Sequence, residues 1–341
     1  MNYILKNENA VFYECGFSCD NVIFLKLGSE AFFITDGRYV TEANEFVKDA
    51  EVVEGGFDIY KTAREILKKN RIKKIVFDPL CWSVDEFKRL NSKLTSHFFP
   101  KKNFSQQKRI IKNKEEILTI KKAAKIGAKG FEEFAKFLQN AENITEKKLF
   151  FKANEILCRQ GELQSSFDPI VAIDENAAKP HSLPTLKPLK NNSLFLFDAG
   201  IKYKRYCSDR TRVLEFTKES NLNFSKNQHF KSRKRQKIYD IVLKAQESAI
   251  KHAKVGMKAC EIDKIARDII QSSGYDKYFI HSTGHGVGLD IHELPVISKR
   301  DETILQEGMV FTVEPGIYLP GEFGVRIEDM VVMNEKGAEI L

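Results

Sequence analysis

Two helical segments followed by strand-like sequence occur twice in the last two-thirds of the chain. The first copy combines a long helical pattern near 114–139 with NITEKKLFFKANEILCRQG, where Thr145 is a predicted N-cap and Gly161 a predicted stop. The second copy combines IYDIVLKAQESAIKHAKVG with ACEIDKIARDIIQSSGY, which ends near Gly274. This weak internal repeat predicts a domain of two similar halves, an arrangement that commonly encloses a site.

The first hundred residues alternate between strand and helix signals. NVIFLKLG and EAFFITD form a predicted hairpin around Gly28-Ser29, Tyr60–Asn70 has a helical pattern, and KKIVFDP is a predicted strand. The stretch Phe98–Lys114 is polar and basic, so we place a domain boundary there. The predicted fold class is α/β (α+β), with a smaller α/β domain at 1–110 and a larger domain at 111–341.

Composition narrows the functional classes. A chain of 341 residues with 42% hydrophobic residues can form two domains with sizeable cores. Six cysteines without a CxxC pair indicate reduced thiols and a cytoplasmic location. No signal peptide and no apolar run of about 18 residues is evident, so we expect no membrane partner.

The net charge of +8 raises the question of nucleic-acid binding. The densest basic run, KSRKRQK at Lys231–Lys237, contains no interleaved aromatic residue. We interpret it as a solvated loop that leads into a helix. The sequence therefore predicts no nucleic-acid partner.

The segment HSTGHGVGLDIHE, His281–Glu293, contains three of the seven histidines in the chain, together with three glycines. Glycine allows a ligand or another backbone segment to approach closely. Histidine is a metal ligand and a proton carrier near neutral pH. The segment therefore indicates a functional site whose other residues lie elsewhere in the chain.

Two aspartates lie on neighbouring predicted strands. Asp198 ends the apolar run SLFLFDAG, and Asp209 begins YCSDRTRVLEF. A tight turn near Tyr203-Lys204 would place Asp198 directly opposite Asp209 in an antiparallel pair. Like charges in that position repel each other, so this register predicts a cation between them, although a bulge would change the register.

Two glutamates repeat this pattern near the end of the chain. Glu314 ends an apolar strand before Pro315-Gly316, and Glu328 lies within GVRIEDMVVM, which is otherwise typical of one buried strand. Arg326 lies two residues before Glu328 and is expected on the same face. It is either a counter-ion of a nearby carboxylate or a contact for the substrate. Buried carboxylates are rare unless they are paired or bind metal.

The charges of these residues match a pair of metal ions. Four carboxylates supply four negative charges, two divalent cations supply four positive charges, and a neutral His285 adds none. Two cations about 3.5–4 Å apart can share bridging carboxylates and a water. Oxygen-rich ligands with one histidine favour Mn²⁺, with Co²⁺, Fe²⁺ and Zn²⁺ as alternatives, and Mg²⁺ is disfavoured.

Five motifs carry a family resemblance: DAG at 198–200, SDRTR at 208–212, HSTGHGVGLDIHE, VEPG at 313–316 and RIED at 326–329. In this order they resemble the dinuclear metallopeptidases of pita-bread fold, which include methionine aminopeptidase, aminopeptidase P and prolidase. NAVFYECGF and ITDGRYVTEA resemble the creatinase/prolidase-type N-terminal domain, which methionine aminopeptidases generally lack. The resemblance therefore implies the proline-specific branch.

The resemblance also implies roles for individual residues. Five residues match the metal ligands: Asp198, Asp209, His285, Glu314 and Glu328. Of these, Asp209 and Glu328 match the bridging carboxylates, and Glu314 matches the residue that moves a proton from the bridging water. His281 and His292 match histidines that contact the substrate and stabilise the tetrahedral intermediate.

Two further matches concern the walls of the site. His181 matches a histidine that lines the pocket, although its surroundings, ENAAKPHSLPTLKP, are equally typical of a plain loop. Arg326 matches an arginine that supports the site beside Glu328. The segment Thr217–Lys237 is longer and more polar than the family generally requires, so we expect a solvated insertion there.

The implied activity is that of an Xaa-Pro aminopeptidase. Such an enzyme hydrolyses the N-terminal Xaa-Pro bond with a hydroxide that bridges two divalent ions, and Mn²⁺ is the expected metal. Prolidase, which cleaves Xaa-Pro dipeptides, is the main alternative. A methionine aminopeptidase or a non-catalytic peptide-binding relative is less favoured. The expected partners are peptides with proline at the second position and, by resemblance, a second copy in a homodimer.

Overall fold

The computed structural model of the protein describes residues 1–218 and 221–341. The chain divides into two compact units, Met1–Arg109 and Ile110–Leu341. The first unit contains one six-stranded sheet in the order β4-β3-β2-β1-β5-β6. Its strands are β1 (Tyr3–Leu5), β2 (Val22–Leu27), β3 (Glu30–Thr35), β4 (Glu51–Glu54), β5 (Lys74–Phe77) and β6 (His97–Pro100). Its helices are α1 (Glu8–Cys15), α2 (Val40–Phe46), α3 (Ile59–Lys69), α4 (Val84–Asn91) and α5 (Phe104–Arg109).

The expected hairpin is present, because β2 and β3 pair antiparallel around Gly28-Ser29. The polar and basic stretch 98–114 contains regular structure. β6 and α5 lie in this stretch, and the buried Phe104 packs in the core of the first unit. The backbone N–H of Phe104 also donates to the Asp78 carboxylate at 3.0 Å. One buried aromatic residue therefore anchors a segment that its composition marks as solvated.

The second unit contains two helix pairs and several antiparallel sheets. Its helices are α6 (Lys114–Leu138), α7 (Glu146–Leu157), α8 (Arg233–His252) and α9 (Ala259–Ser272). The strands of its first half are β7 (Gln164–Ser165), β8 (Ile170–Ile173), β9 (Leu194–Ala199), β10 (Ile201–Tyr203), β11 (Tyr206–Cys207) and β12 (Arg210–Glu215). Those of its second half are β13 (Gly284–Gly286), β14 (Glu293–Ile297), β15 (Val310–Val313), β16 (Gly316–Leu319), β17 (Phe323–Arg326), β18 (Asp329–Asn334) and β19 (Gly337–Ile340).

The two halves follow the expected repeat of helix, helix and sheet. The first half forms the sheet β12-β9-β8 and the smaller sheet β11-β10-β7. The second half forms the sheet β14-β13-β15-β18-β19 and the hairpin β16-β17. The repeat therefore places β9 and β12 in one half and β15 and β18 in the other as the strands that carry the acidic motifs.

Strand β9 is buried along its whole length, and both of its faces are covered. Phe195 and Phe197 pack in a cluster with residues of α6 and α7. Leu194 and Leu196 point the other way, into the cluster that contains α8 and α9. A strand covered on both faces reads as a continuous apolar run, as LFLF does here. Its packing fixes the position of Asp198 at its end.

The predicted register between the two aspartates is wrong. Asp198 lies opposite Thr211, and the hairpin turns at Lys204-Arg205, one residue later than expected. Both turn residues have positive φ, 48° and 71°, as a tight hairpin turn requires. Because Asp209 precedes Thr211 by two residues, it keeps the same face and becomes a diagonal neighbour of Asp198.

Within 217–218 and 221–237, some side chains are buried in the core. Phe224 is buried, and its ring lies 5.3 Å from that of Phe131 and 5.5 Å from that of Phe197. Phe230 is also buried, against Tyr239 of α8. The basic run lies largely in the first turns of α8, which Ser232 caps. The expectation of a solvated insertion is therefore wrong for these residues.

None of the helices in residues 1–218 and 221–341 combines the length and hydropathy that a membrane-spanning segment needs.

Substitution of Phe224 by alanine tests whether the insertion is anchored. We expect Phe224→Ala to lower the free energy of unfolding by about 3 kcal/mol, because it leaves a cavity beside the rings of Phe131 and Phe197. Phe151→Ala is the matched control: Phe151 is 71% exposed, so the expected change is within about 0.5 kcal/mol. Chemical denaturation of both variants measures the difference. Equal effects would show that the insertion adds nothing to the core.

Candidate metal centre

The first two predicted ligands lie at the facing ends of β9 and β12. The Asp198 carboxylate accepts a hydrogen bond from Arg326 Nη2 at 2.6 Å. The backbone N–H of Asp209 donates to the Met330 sulfur at 3.1 Å, which fixes its backbone against β18. Both side chains are nearly buried, at 10% and 6% exposure. Two carboxylates are thus withdrawn from solvent on one face of one hairpin.

His285 lies in the middle of β13 and faces these aspartates. Its backbone N–H donates to Thr312 Oγ1 at 3.1 Å, and its Nδ1 lies 3.1 Å from the Gly286 carbonyl. A carbonyl only accepts, so this contact assigns a proton to Nδ1. Nε2 therefore points at two carboxylates, Glu314 Oε1 at 3.2 Å and Asp209 Oδ2 at 3.6 Å. Without metal, Nε2 donates a proton to Glu314, which raises the pKa of His285 against the effect of burial, and a cation at this position would take the place of that proton.

The two glutamates reach the same place from the second half. Glu314 follows β15, and its carboxylate accepts from Thr312 Oγ1 at 3.2 Å. Glu328 is not inside one long strand, as expected, but in the break between β17 and β18, which belong to different sheets. Its Oε2 accepts from Thr211 Oγ1 at 2.6 Å. The change of sheet at Glu328 turns its side chain toward β12.

Ligand atoms of Asp209, His285 and Glu328 lie within 4.8 Å of one another. Three carboxylate oxygens at this place are buried and have no hydrogen-bond donor among residues 1–218 and 221–341: Asp198 Oδ1, Asp209 Oδ1 and Glu328 Oε1. Buried anionic oxygens without a partner are costly, and bound cations are the usual compensation. The donor set therefore fits divalent metal ions, and the hydrogen-bonded oxygens show how each ligand is oriented.

The pKa values of the carboxyl groups also indicate a site for positive charge. Burial raises the pKa of Asp209 and of Glu328 well above their usual ranges, and the neighbouring carboxylates raise them further. Burial also raises the pKa of Asp198, although Arg326 opposes this. For Glu314 burial is outweighed by the hydrogen bond and charge of His285, which lower its pKa to about 2. The carboxylates thus repel one another, and added positive charge would relieve the repulsion.

Arg326 connects several parts of the centre. Its Nη2 contacts Asp198, its Nε donates to Thr211 Oγ1 at 3.1 Å, and its Nη1 donates to Tyr318 Oη at 2.8 Å. As a counter-ion, Arg326 makes its short contact with Asp198, and its Nε lies 4.0 Å from Glu314 Oε2. Thr211 links Arg326 to Glu328 through hydrogen bonds. Asp329 pairs with Arg212 and Lys226 instead.

Tyr318 is a functional residue that sequence reasoning missed. Its hydroxyl lies 2.9 Å from His281 Nε2, while His281 Nδ1 lies 2.7 Å from the Ser282 carbonyl. Since the carbonyl fixes the proton on Nδ1, Tyr318 donates to Nε2 and accepts from Arg326. Burial raises the pKa of Tyr318 to about 12, which keeps this donor protonated. A tyrosine in an apolar hairpin gives no sequence signal of this role.

A second missed pair holds the backbone around His281. Asp263 on α9 accepts from the backbone N–H and hydroxyl of Thr283 at 3.2 and 2.8 Å. Arg267 binds Asp263 with two nitrogens, each at 2.9 Å, and donates to the His281 carbonyl at 2.8 Å. In the helix pattern these residues resemble an ordinary (i, i+4) pair. Only the fold shows that they orient the histidine segment.

The remaining predicted histidines lie at the rim of the centre. His292 is exposed, and its ring packs edge-on against that of His285 with centroids 4.2 Å apart. His181 is exposed on the loop after β8, near enough to His281 and His292 to lower the pKa of both, after the larger effect of burial. The fold therefore brings His181 near His281 and His292, and it places His292 against the predicted ligand His285.

Comparison with known proteins identifies the families of both parts of the chain. The family model described as metallopeptidase family M24 matches residues 119–335, and that of the creatinase/prolidase N-terminal domain matches residues 2–113. An uncharacterised peptidase of Bacillus subtilis is 35% identical over 335 residues, which are 98% of this chain and 91% of the relative.

Two solved structures resemble the whole chain. That of an Xaa-Pro dipeptidase from Bacillus anthracis has a TM-score of 0.91 at 34% identity, covering 99% of this chain and 92% of that chain. That of an X-Pro aminopeptidase from Thermotoga maritima has a TM-score of 0.87 at 34% identity, covering 99% of this chain and 94% of that chain. Fold and matches define a metal-dependent peptidase with a creatinase-type N-terminal domain and a pita-bread catalytic domain, which confirms the predicted fold class. The chain belongs to the metallopeptidase family M24.

Charge repulsion within the centre has a measurable consequence for the metal-free protein. We expect Asp209→Asn to raise the free energy of unfolding by about 1 kcal/mol in the presence of a chelator, roughly the equivalent of one pKa unit. The same variant should lose most of the stabilisation that added Mn²⁺ gives to the wild type. Thermal unfolding with and without metal measures both effects.

The matched control is Asp268→Asn, since Asp268 is 54% exposed and pairs with Lys264 on the surface of α9. It should change neither quantity by more than about 0.5 kcal/mol. Destabilisation of the chelated protein by Asp209→Asn would contradict the inferred repulsion.

Proposed function

We propose that this protein hydrolyses the peptide bond between the first residue of a peptide and a following proline, with two divalent metal ions as cofactors. One observation carries the proposal: four carboxylates and one imidazole converge in a buried site, and three of the carboxylate oxygens have no donor among the described residues. The residues that would hold the ions are Asp198, Asp209, His285, Glu314 and Glu328.

The charges of the centre support two ions rather than one. Four carboxylates carry four negative charges, and Arg326, which contacts Asp198, offsets one of them. One divalent ion would leave a buried net negative charge. Two divalent ions leave one positive charge, so the centre can also accept one anionic group. When bound, such ions polarise a carbonyl oxygen and lower the pKa of water enough to make a nucleophile at neutral pH.

Glu314 is suited to move the proton. It is the most exposed of the four carboxylates, at 14%, so it borders the space where a substrate must enter. Its Oε1 already faces His285 Nε2 and accepts from Thr312, which holds the carboxylate in one orientation. In the proposed reaction, Glu314 takes the proton of the attacking water and returns it to the leaving proline nitrogen.

The histidines at the rim would contact the peptide. The Tyr318 hydroxyl and the Ser282 carbonyl hold the ring of His281, so its orientation is set before the substrate binds. His292 and His181 are exposed and face the same side. We assign His281 and His292 to the developing oxyanion, and His181 to the wall of the pocket. Arg326 holds Asp198 and Tyr318 in place through its hydrogen bonds. We also propose that Arg326 contacts the substrate.

Proline specificity follows from chemistry as well as from the relatives. A bond before proline is a tertiary amide without an N–H, so enzymes that dock the substrate backbone through that group lose a contact. Attack of a water molecule on the carbonyl carbon does not need that N–H. The two similar structures described above carry the names Xaa-Pro dipeptidase and X-Pro aminopeptidase.

The choice between these activities rests on the space beyond the proline. We propose an Xaa-Pro aminopeptidase, with prolidase as the second candidate, which the dipeptidase of Bacillus anthracis favours through the higher TM-score. We further propose Mn²⁺ as the metal and a homodimer as the assembly. The six free thiols are consistent with a reducing, cytoplasmic location.

A competition among three peptides tests the proposed activity. The Mn²⁺-loaded protein receives Ala-Pro, Ala-Pro-Ala and the control Ala-Ala-Ala together, and mass spectrometry follows proline, Pro-Ala and Ala-Ala. We expect Pro-Ala to appear and Ala-Ala to stay absent. Proline alone would indicate a prolidase, and Ala-Ala as a main product would contradict proline specificity.

Removal of Glu314 tests the proposed proton carrier. Glu314→Gln should lower kcat by about 10²–10⁴-fold, because proton transfer is lost while the shape of the side chain is kept. Glu322→Gln, in which the residue is half-exposed and pairs with Lys234, is the matched control and should leave kcat unchanged.

Metal content measured on the same samples separates the two roles of Glu314. Loss of kcat with two ions retained supports proton transfer, and loss of one ion supports ligation. An unchanged kcat would contradict both roles. Treatment with a chelator should abolish turnover in the wild type, and Mn²⁺ should restore it.

A further inference from the structure

A buried ion pair that none of the proposed steps uses lies beneath the histidine segment. Lys112 Nζ lies 2.6 Å from Glu293 Oε1, and both side chains are only 1% exposed. Lysine and glutamate are almost never buried so completely unless they are paired. Replacement of such a pair by apolar residues is often neutral or stabilising. Stability alone therefore does not explain why this pair is charged.

The lysine end of the pair has a fixed backbone. The Lys112 N–H donates to the Gly308 carbonyl at 2.8 Å, and the preceding Ile111 forms a β-bridge with Met309. The following Asn113 caps α6 in a reciprocal capping box with Glu116. Lys112 is thus held on both sides, between a strand-like contact and a helix start.

The glutamate end lies at the base of the loop 287–292. Glu293 begins β14 and pairs with Gly286 of β13, where the register shifts after His285. The Asp290 N–H donates to Glu293 Oε2 at 3.4 Å. A Cβ on Gly288 would lie 2.4 Å from Glu293 Oε1, so the loop backbone rests directly on the carboxylate. The loop is therefore folded around the group that Lys112 binds.

The loop ends at His292. Within residues 1–218 and 221–341, the ring of His292 forms no hydrogen bond. Its position depends on the edge-on contact with His285 and on the backbone next to Glu293. His285 has independent support, since Thr312 holds its backbone N–H. Movement of the loop would thus displace His292 and leave the metal ligand in place.

We propose that the Lys112–Glu293 ion pair is a positioning device that fixes the loop 287–292 and so holds the His292 ring beside His285. The proposal rests on the proposed function for its effect on turnover, because it assigns to the pair the placement of one substrate-facing histidine. A charged pair fixes one loop geometry, whereas an apolar pair tolerates several.

The test is a double-mutant cycle that combines removal of the Lys112–Glu293 pair with removal of the His292 side chain. Lys112→Met/Glu293→Gln removes both charges together, which avoids leaving one buried charge without a partner. We expect it to lower kcat for the proline peptide by about 10–100-fold, with two metal ions retained. His292→Ala should give a similar loss, and the combined variant should lose little more, since both changes act through one ring.

Hydrogen exchange supplies a readout that does not depend on turnover. Amide exchange in 286–293 should be faster in Lys112→Met/Glu293→Gln, with exchange in β15 and β18 unchanged. Lys264→Met/Asp268→Asn removes an exposed (i, i+4) pair on α9 and is the control. It should change neither kcat nor exchange in the loop.

The outcomes separate the two proposals. Unchanged amide exchange in 286–293 would overturn the positioning role. So would a loss of kcat from Lys112→Met/Glu293→Gln that is as large in the His292→Ala background as in the wild type. Faster exchange in 286–293 in a protein that cleaves no proline peptide would support the role in the fold and refute the proposed function. A variant that unfolds is replaced by Lys112→Arg, which keeps the charge and should retain both kcat and the protected loop.

Discussion

The crowding of four carboxylates in one buried space is the constraint on which the second unit depends. Asp209 and Glu328 each have an oxygen without a donor among the described residues, and their neighbours raise the cost of their ionisation. Arg326 relieves part of this repulsion by binding Asp198. Bound cations would relieve the remainder, so metal binding would also stabilise the fold of this unit.

The duplicated architecture explains how such a cluster can form. β9 and β12 carry the aspartates and β15 and β18 flank the glutamates, so each half of the unit supplies one pair of carboxylates. Close approach of backbones makes the contact possible. A Cβ on Gly284 would lie 1.9 Å from the Thr312 carbonyl, so only glycine allows β13 to bring His285 against β15.

Three sets of polar contacts support the histidines at different depths. Tyr318 and Arg326 orient the His281 ring, Asp263 and Arg267 fix the backbone around it, and Lys112 and Glu293 lie under the loop that carries His292. None of these side chains is a predicted metal ligand. They show that the centre is preorganised by its surroundings, as efficient catalysis by charged groups requires.

The sequence by itself determined the fold class and the residue types that are available to the centre. The order of the acidic and histidine motifs carried the resemblance that predicted the fold, and the apolar strands before Asp198 and Glu314 marked where candidate ligands lie. These signals are local, because a buried strand and a carboxylate at its end appear directly in the order of residues.

Only the tertiary structure decided which atoms meet. The β9–β12 hairpin turns one residue later than predicted, and the last predicted strand is interrupted at Glu328. Arg326 forms its short ion pair with Asp198, which is distant in the sequence. The tertiary structure also buried Phe224 in a segment of polar composition, and it paired Lys112 with Glu293 across 181 positions of the chain. Such pairings depend on turn geometry and on packing between distant segments, and neither leaves a periodic trace in the sequence.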